Sequence, residues 1–166
     1  MKRRHLLMGG VAAAGLGACA PQTKFRTYNG PEVTYIVVNK EARSMYLLHQ
    51  DKVLKKYLID LGFAPIGDKF FEGDGRTPEG NYIIDRRNPN SQFHLSLGIS
   101  YPNARDRAEA AAIGKPPGGD IFIHGESNPF KRKRSDWTWG CIAVPNREME
   151  DVYAMVRNGT PIQINP

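Results

Sequence analysis

The chain has 166 residues, 40% of them hydrophobic, with 23 Lys and Arg against 17 Asp and Glu and a formal net charge of +6. That length suits one domain with a true core, and two cysteines exclude a dense disulfide framework or a cysteine-rich zinc site. The basicity is concentrated at the start: Lys2, Arg3, Arg4 and His5 form a basic head, and the apolar run Leu6–Leu16 is too short to span a membrane as a stable helix.

Leu16-Gly17-Ala18-Cys19 follows that run. Small residues before a cysteine resemble the bacterial lipobox, and Arg3-Arg4 resembles a twin-arginine signal. Residues 1–18 are therefore read as a lipoprotein signal peptide, with Cys19 lipidated and 19–32 as a polar tether. An ordinary cleaved signal with an incidental cysteine is the alternative. Cleavage before Cys19 removes three cations and no acid, leaving +3. That is a mild attraction to anionic polymers and no nucleic-acid footprint. The expected location is the periplasmic face of a bacterial membrane, and Ala20 in place of Asp favours the outer one.

Residues 33–166 read as one domain. Val33–Val38 and Ser44–His49 are apolar runs around Asn39-Lys40-Glu41, which predicts a hairpin, and Lys52–Leu61 continues the pattern. Gly62–Gly80, rich in Gly, Pro and Asp, is a long loop. Tyr82–Asp85 and Phe93–Ser100 are further strands. Asn103–Ile113 reads as a helix with Asn103 at the N-cap, Arg105 and Glu109 spaced i,i+4, and Gly114 at its end. Ile121–His124 and Cys141–Val144 are strands flanking an irregular segment. Asn146–Val156 is the second helix, with Met149, Val152, Tyr153 and Val156 as its apolar stripe. Thr160–Asn165 closes with a strand. The expected fold is mainly β with two helices, a sandwich or barrel, because the elements do not alternate as βαβ units.

Once Cys19 is an anchor, Cys141 is the remaining cysteine, and an unpaired thiol in an exported protein is either a small buried hydrophobe or a reactive group. His124-Gly125 and Gly140-Cys141 both fall where a short strand meets a glycine, 17 positions apart. A thiol is a weak nucleophile until a base takes its proton, and imidazole is the commonest such base near neutral pH.

These residues resemble the L,D-transpeptidase (YkuD-type) catalytic domain. The resemblance is carried by His124-Gly125, by Thr138-Trp139-Gly140-Cys141, by the Thr77-Pro78-Glu79-Gly80 turn before Tyr82, and by Phe93–Pro102. It spans about residues 33 to 165. The chain departs from the family pattern at Trp139, where a His is usual before Gly-Cys, and at Ala143, where Asn or Arg is common. The resemblance implies peptidoglycan stem peptides as substrate. Cys141 would attack the meso-diaminopimelate carbonyl of a tetrapeptide, release D-alanine, and pass the acyl group to an amine for a 3-3 cross-link. His124 would be the base, with the backbone N–H groups of Gly140 and Cys141 as the oxyanion hole and no cofactor or metal. Gly125 is a candidate for fixing the imidazole tautomer through its carbonyl. The same acyl-enzyme with water as acceptor would be an L,D-carboxypeptidase or an amidase. A wall-binding lipoprotein without turnover is the reading that Trp139 and Ala143 feed.

Trp137, Thr138, Trp139, Arg76 and His94 are weaker candidates for contacting substrate. Trp137 and Trp139 either line an acyl pocket or pack the loop, and Arg76 is a candidate for a substrate carboxylate. His94 is expected to be structural or a pocket wall. Asp136 is read as a turn residue in preference to a third catalytic member. Lys131–Arg134 is either a solvated loop face or a lid over the site.

Overall fold

Alternating burial organises the first strands. In the computed structural model, which describes residues 23–128 and 135–166, β1 (Tyr35–Asn39) and β2 (Ser44–His49) form the expected hairpin. Ile36, Val38, Met45 and Leu47 point inward from it. The elements that follow are β3 (Lys52–Leu58), β4 (Gly80–Asn88), β5 (Ser96–Ile99), α1 (Ala104–Ala112), β6 (Phe122–His124), β7 (Ile142–Ala143), α2 (Asn146–Met155) and β8 (Pro161–Asn165). Residues 1–18, read from sequence as a signal peptide, Cys19 and the Lys131–Arg134 run lie outside the described residues.

The eight strands make one sheet in the order β3-β2-β1-β8-β4-β5-β6-β7, with β1–β8 and β6–β7 parallel and the other pairs antiparallel. The fold is mainly β with two helices, and it is barrel-like because the sheet curls until its two edges approach. Past Leu58 the chain leaves β2. Asp60 forms an antiparallel bridge with Ala143 on β7, through N–H···O contacts of 2.9 and 2.8 Å. Strand Lys52–Leu61, as expected from sequence, therefore ends at Leu58, and its last residues close the opposite edge of the sheet.

Two other boundaries shift for identifiable reasons. β4 is longer than Tyr82–Asp85 because it changes partner midway. Gly80–Ile83 pairs with β8, and Ile84–Asn88 pairs with β5 across an irregularity between Ile84 and Arg86. Its second half is polar, so hydrophobic alternation does not mark it. There Arg87 lies 3.9 Å from the Tyr153 ring centroid and donates to the carbonyls of Tyr153 and Val156 at the end of α2, where a cation complements the helix dipole. Phe93–Leu95 is not strand, and β5 begins at Ser96. Both helices form as expected. Asn103 caps α1, and Asp106 completes a capping box while accepting from the Tyr82 hydroxyl.

The Gly62–Gly80 loop is ordered by polar groups it buries. Lys40, from the β1–β2 turn, is buried and donates from Nζ to the carbonyls of Gly67 (2.5 Å) and Thr77 (2.9 Å) and to Glu79 Oε1 (2.7 Å). Lys69 and Asp74 form a second buried pair at 2.8 Å. The described part of the tether, from Thr23, meets α2. Arg26 pairs with Glu150 and Asp151, and the Phe25 ring approaches that of Tyr153.

Removing one partner of a buried ion pair costs about 3 kcal/mol or more. Lys40→Met is therefore expected to lower the melting temperature by roughly 6–12 °C in a chain of this size. Lys52→Met, at an exposed strand position, serves as the neutral control. Thermal circular dichroism reads both, and equal melting temperatures would refute the role given to Lys40.

Candidate active site

Strand register brings the histidine and the cysteine together. β6 and β7 run parallel with Ile123 beside Ile142 and His124 beside Ala143, and one step back the same register sets Cys141 beside Phe122. Residues two apart on a strand share a face, so Phe122, His124, Cys141 and Ala143 share one. One strand spacing and two residue rises put the Cα atoms of Cys141 and His124 about 8 Å apart, a distance that thiol and imidazole can bridge. Both residues line a cleft of about 820 Å³, with Phe93, Trp137 and Trp139 among its walls.

His124 is buried, and its Nδ1–H donates to the Gly125 carbonyl at 2.6 Å. A carbonyl only accepts, so Nδ1 carries the proton, and in the neutral ring Nε2 keeps the lone pair. The Gly125 carbonyl thus occupies the position expected for fixing the tautomer. The Phe93 ring lies 4.6 Å from the imidazole, and the Trp137 ring meets it edge-on at 5.6 Å. Trp137 is itself held by Nε1–H donation to Asp60 Oδ2 at 3.1 Å. The segment that closes the sheet therefore also supports a wall of the cleft.

Cys141 is a free thiol whose Sγ–H donates to the Asp120 carbonyl at 3.5 Å. Burial pushes its pKa above the ordinary thiol value. The Phe122 N–H on the sulfur and the charge of Lys69 oppose this, and the charge of Asp120 adds to it. The resting site therefore favours a neutral thiol.

The turn before Cys141 is tied down from within. Gly140 sits at φ +121°, and a Cβ there would lie 2.6 Å from the Arg76 carbonyl, so both conformation and space demand glycine. Its N–H donates to Thr138 Oγ1 at 3.2 Å, and that hydroxyl donates onward to the Cys141 carbonyl at 2.7 Å. This corrects the expectation that the Gly140 N–H lines an oxyanion hole: it is buried and committed, which leaves the Cys141 amide of the expected pair. Thr138 is likewise buried and holds the turn from the lining of the cleft.

Three other candidates separate from the site. Arg76 folds back, donating to the Asp68 carbonyl and lying over the Phe70 ring. His94 follows Phe93 but at φ +71°, and its Nε2 meets Glu150 Oε1 at 3.0 Å on the side of α2. Asp136 is a turn residue whose carboxylate pairs with Arg43 at 2.8 Å and accepts from the Leu61 N–H. Trp139 stands on the rim of the cleft, 72% exposed, with its ring edge-to-face on Phe63 at 5.0 Å. Ala143 is the closure residue bridged to Asp60. Sequence reasoning missed Asp60, Phe93, Asp120 and Phe122 as site residues. Phe93 and Phe122 lay inside the quoted motifs, whereas Asp60 and Asp120 carry no local signal.

A sequence model of the L,D-transpeptidase catalytic domain (YkuD) matches residues 33–164. The protein YafK of Escherichia coli (strain K12) is 29% identical over 128 residues, covering 74% of this chain and 46% of its own length. YkuD of Bacillus licheniformis is 28% identical over 161 residues, covering 96% of this chain and 81% of its own. Among solved structures, the helical cell shape determining protein Pgp2 from Campylobacter jejuni superimposes with a TM-score of 0.63 at 28% identity. That match covers 82% of this chain and 49% of Pgp2. The chain thus spans about half the length of the Escherichia coli and Campylobacter proteins.

Because the thiol is raised, its thiolate fraction at neutral pH is below that of an exposed cysteine. The rate of iodoacetamide alkylation at Cys141, followed by peptide mass mapping, is expected to keep rising beyond pH of roughly 8.5, where a free cysteine is half ionised. A plateau below pH 7 would contradict the neutral resting thiol. Thr138→Val keeps the shape but removes both turn hydrogen bonds, and is expected to cost about 1–2 kcal/mol by denaturant unfolding.

Proposed function

The chain belongs to the L,D-transpeptidase catalytic domain family, and from that premise we propose that it is a cysteine-dependent acyltransferase acting on peptidoglycan stem peptides. The observation that carries the reading is the placement of His124 and Cys141 on one face of paired strands, with the imidazole proton held on Nδ1 by the Gly125 carbonyl.

In this reading Cys141 Sγ attacks the L-centre carbonyl of meso-diaminopimelate in a tetrapeptide stem while its proton passes to His124 Nε2. The Cys141 amide is the nearby donor for the developing oxyanion. Collapse breaks the C–N bond, and the imidazolium returns the proton to the departing D-alanine amine, leaving a thioester. The side-chain amine of a second stem then attacks, His124 takes its proton, and the thiolate leaves and is reprotonated. The product is a 3-3 cross-link. The aromatic walls at Phe93 and Trp137 exclude water from the imidazole and favour an amine acceptor over hydrolysis. Similarity to a cell shape determining protein supports a role in wall architecture.

The same proposal places the domain outside the cytoplasm. Residues 1–18 serve as export signal, Cys19 carries the lipid, and the domain from residue 33 works at the periplasmic face, on the outer membrane. Replacing Cys19 by Ser is expected to shift the protein from the membrane to the soluble periplasmic fraction. Unchanged fractionation would remove the anchor from the proposal.

The decisive assay is mass spectrometry of muropeptides after incubating the detergent-solubilised full chain with disaccharide-tetrapeptide. Cross-linked dimers are expected, falling at least about a thousandfold in Cys141→Ala. Tripeptide without dimers would mean that water is the acceptor. Untouched substrate would refute the enzymatic reading.

A further inference from the structure

Arg86, Gly98, Phe122 and Cys141 lie in one row across four strands. Arg86 pairs with Gly98, Gly98 pairs with Phe122, and the β6–β7 register extends the row to Cys141. Gly98 is what allows the arginine to lie across the sheet, because a Cβ there would come within 2.5 Å of Arg86 Cγ. The guanidinium reaches the face of Phe122, 4.5 Å from the ring centroid, and donates to Asp120 Oδ1 at 3.1 Å and to Asp85 Oδ2 at 3.0 Å.

Asp120 borders the nucleophile. Its carbonyl accepts from Cys141 Sγ, its backbone is held at φ +54°, and its carboxylate is 90% exposed at the lining of the cleft. An ion pair so exposed contributes little to stability. Fold stability therefore does not account for a cation threaded over a glycine to meet a carboxylate beside the reactive thiol.

We propose that Arg86 and Asp120 form a clamp for an amino-acid zwitterion: the free α-carboxylate and α-ammonium at the distal end of the diaminopimelate side chain. This rests on the acyltransferase reading and names the feature of the stem peptide that the site selects. Arg86 takes the carboxylate with its planar fork, and Asp120 takes the ammonium. When the ligand enters, the Arg86–Asp120 contact opens and each partner meets an opposite charge, so the charge of the cleft stays balanced. The three-methylene spacer between the attacked carbonyl's centre and the distal centre spans roughly 5 Å, about one strand spacing, the step from the Cys141 position to the neighbouring strand that carries Phe122. A stem with lysine in place of diaminopimelate keeps the ammonium and lacks the carboxylate, so the clamp discriminates against it.

The test measures kcat/KM for D-alanine release by the detergent-solubilised full chain. Its substrates are tetrapeptide stems containing diaminopimelate, lysine, or diaminopimelate acetylated on the side-chain amine. The native chain is expected to prefer the diaminopimelate stem about tenfold or more over each of the others. Arg86→Gln is expected to bring the diaminopimelate-to-lysine ratio near one. Asp120→Asn should do the same for the free-amine-to-acetylated ratio. A purely structural role would lower turnover of every stem and leave these ratios intact, and that result would overturn the clamp. Calorimetric titration of Cys141→Ala with the same stems reads recognition without turnover. If no D-alanine is released, yet Cys141→Ala prefers the diaminopimelate stem only while Arg86 is present, acyl transfer fails and the clamp stands. If all stems are turned over equally, the clamp fails and acyl transfer stands.

Discussion

Four backbone hydrogen bonds between residues 60–63 and 138–143 are the constraint on which the site depends. β7 has two residues and could not hold the adjoining Cys141 in place unaided. It is instead gripped on both sides, by β6 in parallel and by the Asp60 segment in an antiparallel bridge. Side chains reinforce the grip. Asp60 accepts from the Asp136 amide and the Trp137 indole, and Asp136 accepts in return from the Leu61 amide while pairing with Arg43. Closing the curled sheet and positioning Cys141 are therefore one event. The edge backbone groups satisfied by the closure are those that would otherwise be left open on a short strand.

The closed site fixes His124 more fully than Cys141. The imidazole is buried, flanked by two aromatic rings and committed to one tautomer by its neighbour's carbonyl. The thiol stays protonated, because burial outweighs the help of the Phe122 amide and of Lys69. A thiol kept neutral resists oxidation better than a standing thiolate.

The two departures from the family pattern have different physical meanings. Ala143 is a small residue at the bridge to Asp60, where both of its backbone groups are paired, so its identity belongs to the closure. Trp139 lies on the outside of the turn, where it presents a broad aromatic face to the cleft and braces Phe63. Neither change touches the Cys141–His124 pair. Trp139 shapes the rim of the cleft, and Asp120, paired with Arg86, lies at its lining.

The sequence by itself determined the mainly β class and both helices, and it singled out Cys141 and His124, which lie on one face of neighbouring strands. These are local facts: strand periodicity, an asparagine at the start of a helix with a glycine at its end, an apolar stripe on the other helix, and two short strands each meeting a glycine. The tether's docking on α2 and the length of β4 were not legible, because both depend on partners far away in the chain. Tertiary structure alone decided that the Gly140 amide is consumed inside its own turn, and that Arg76 and His94 face away from the cleft. It also decided that Asp60 reaches Trp137 across 77 positions. The physical reason is that a residue type states what a side chain can bind, and only closure of the sheet settles which partner lies within hydrogen-bonding distance.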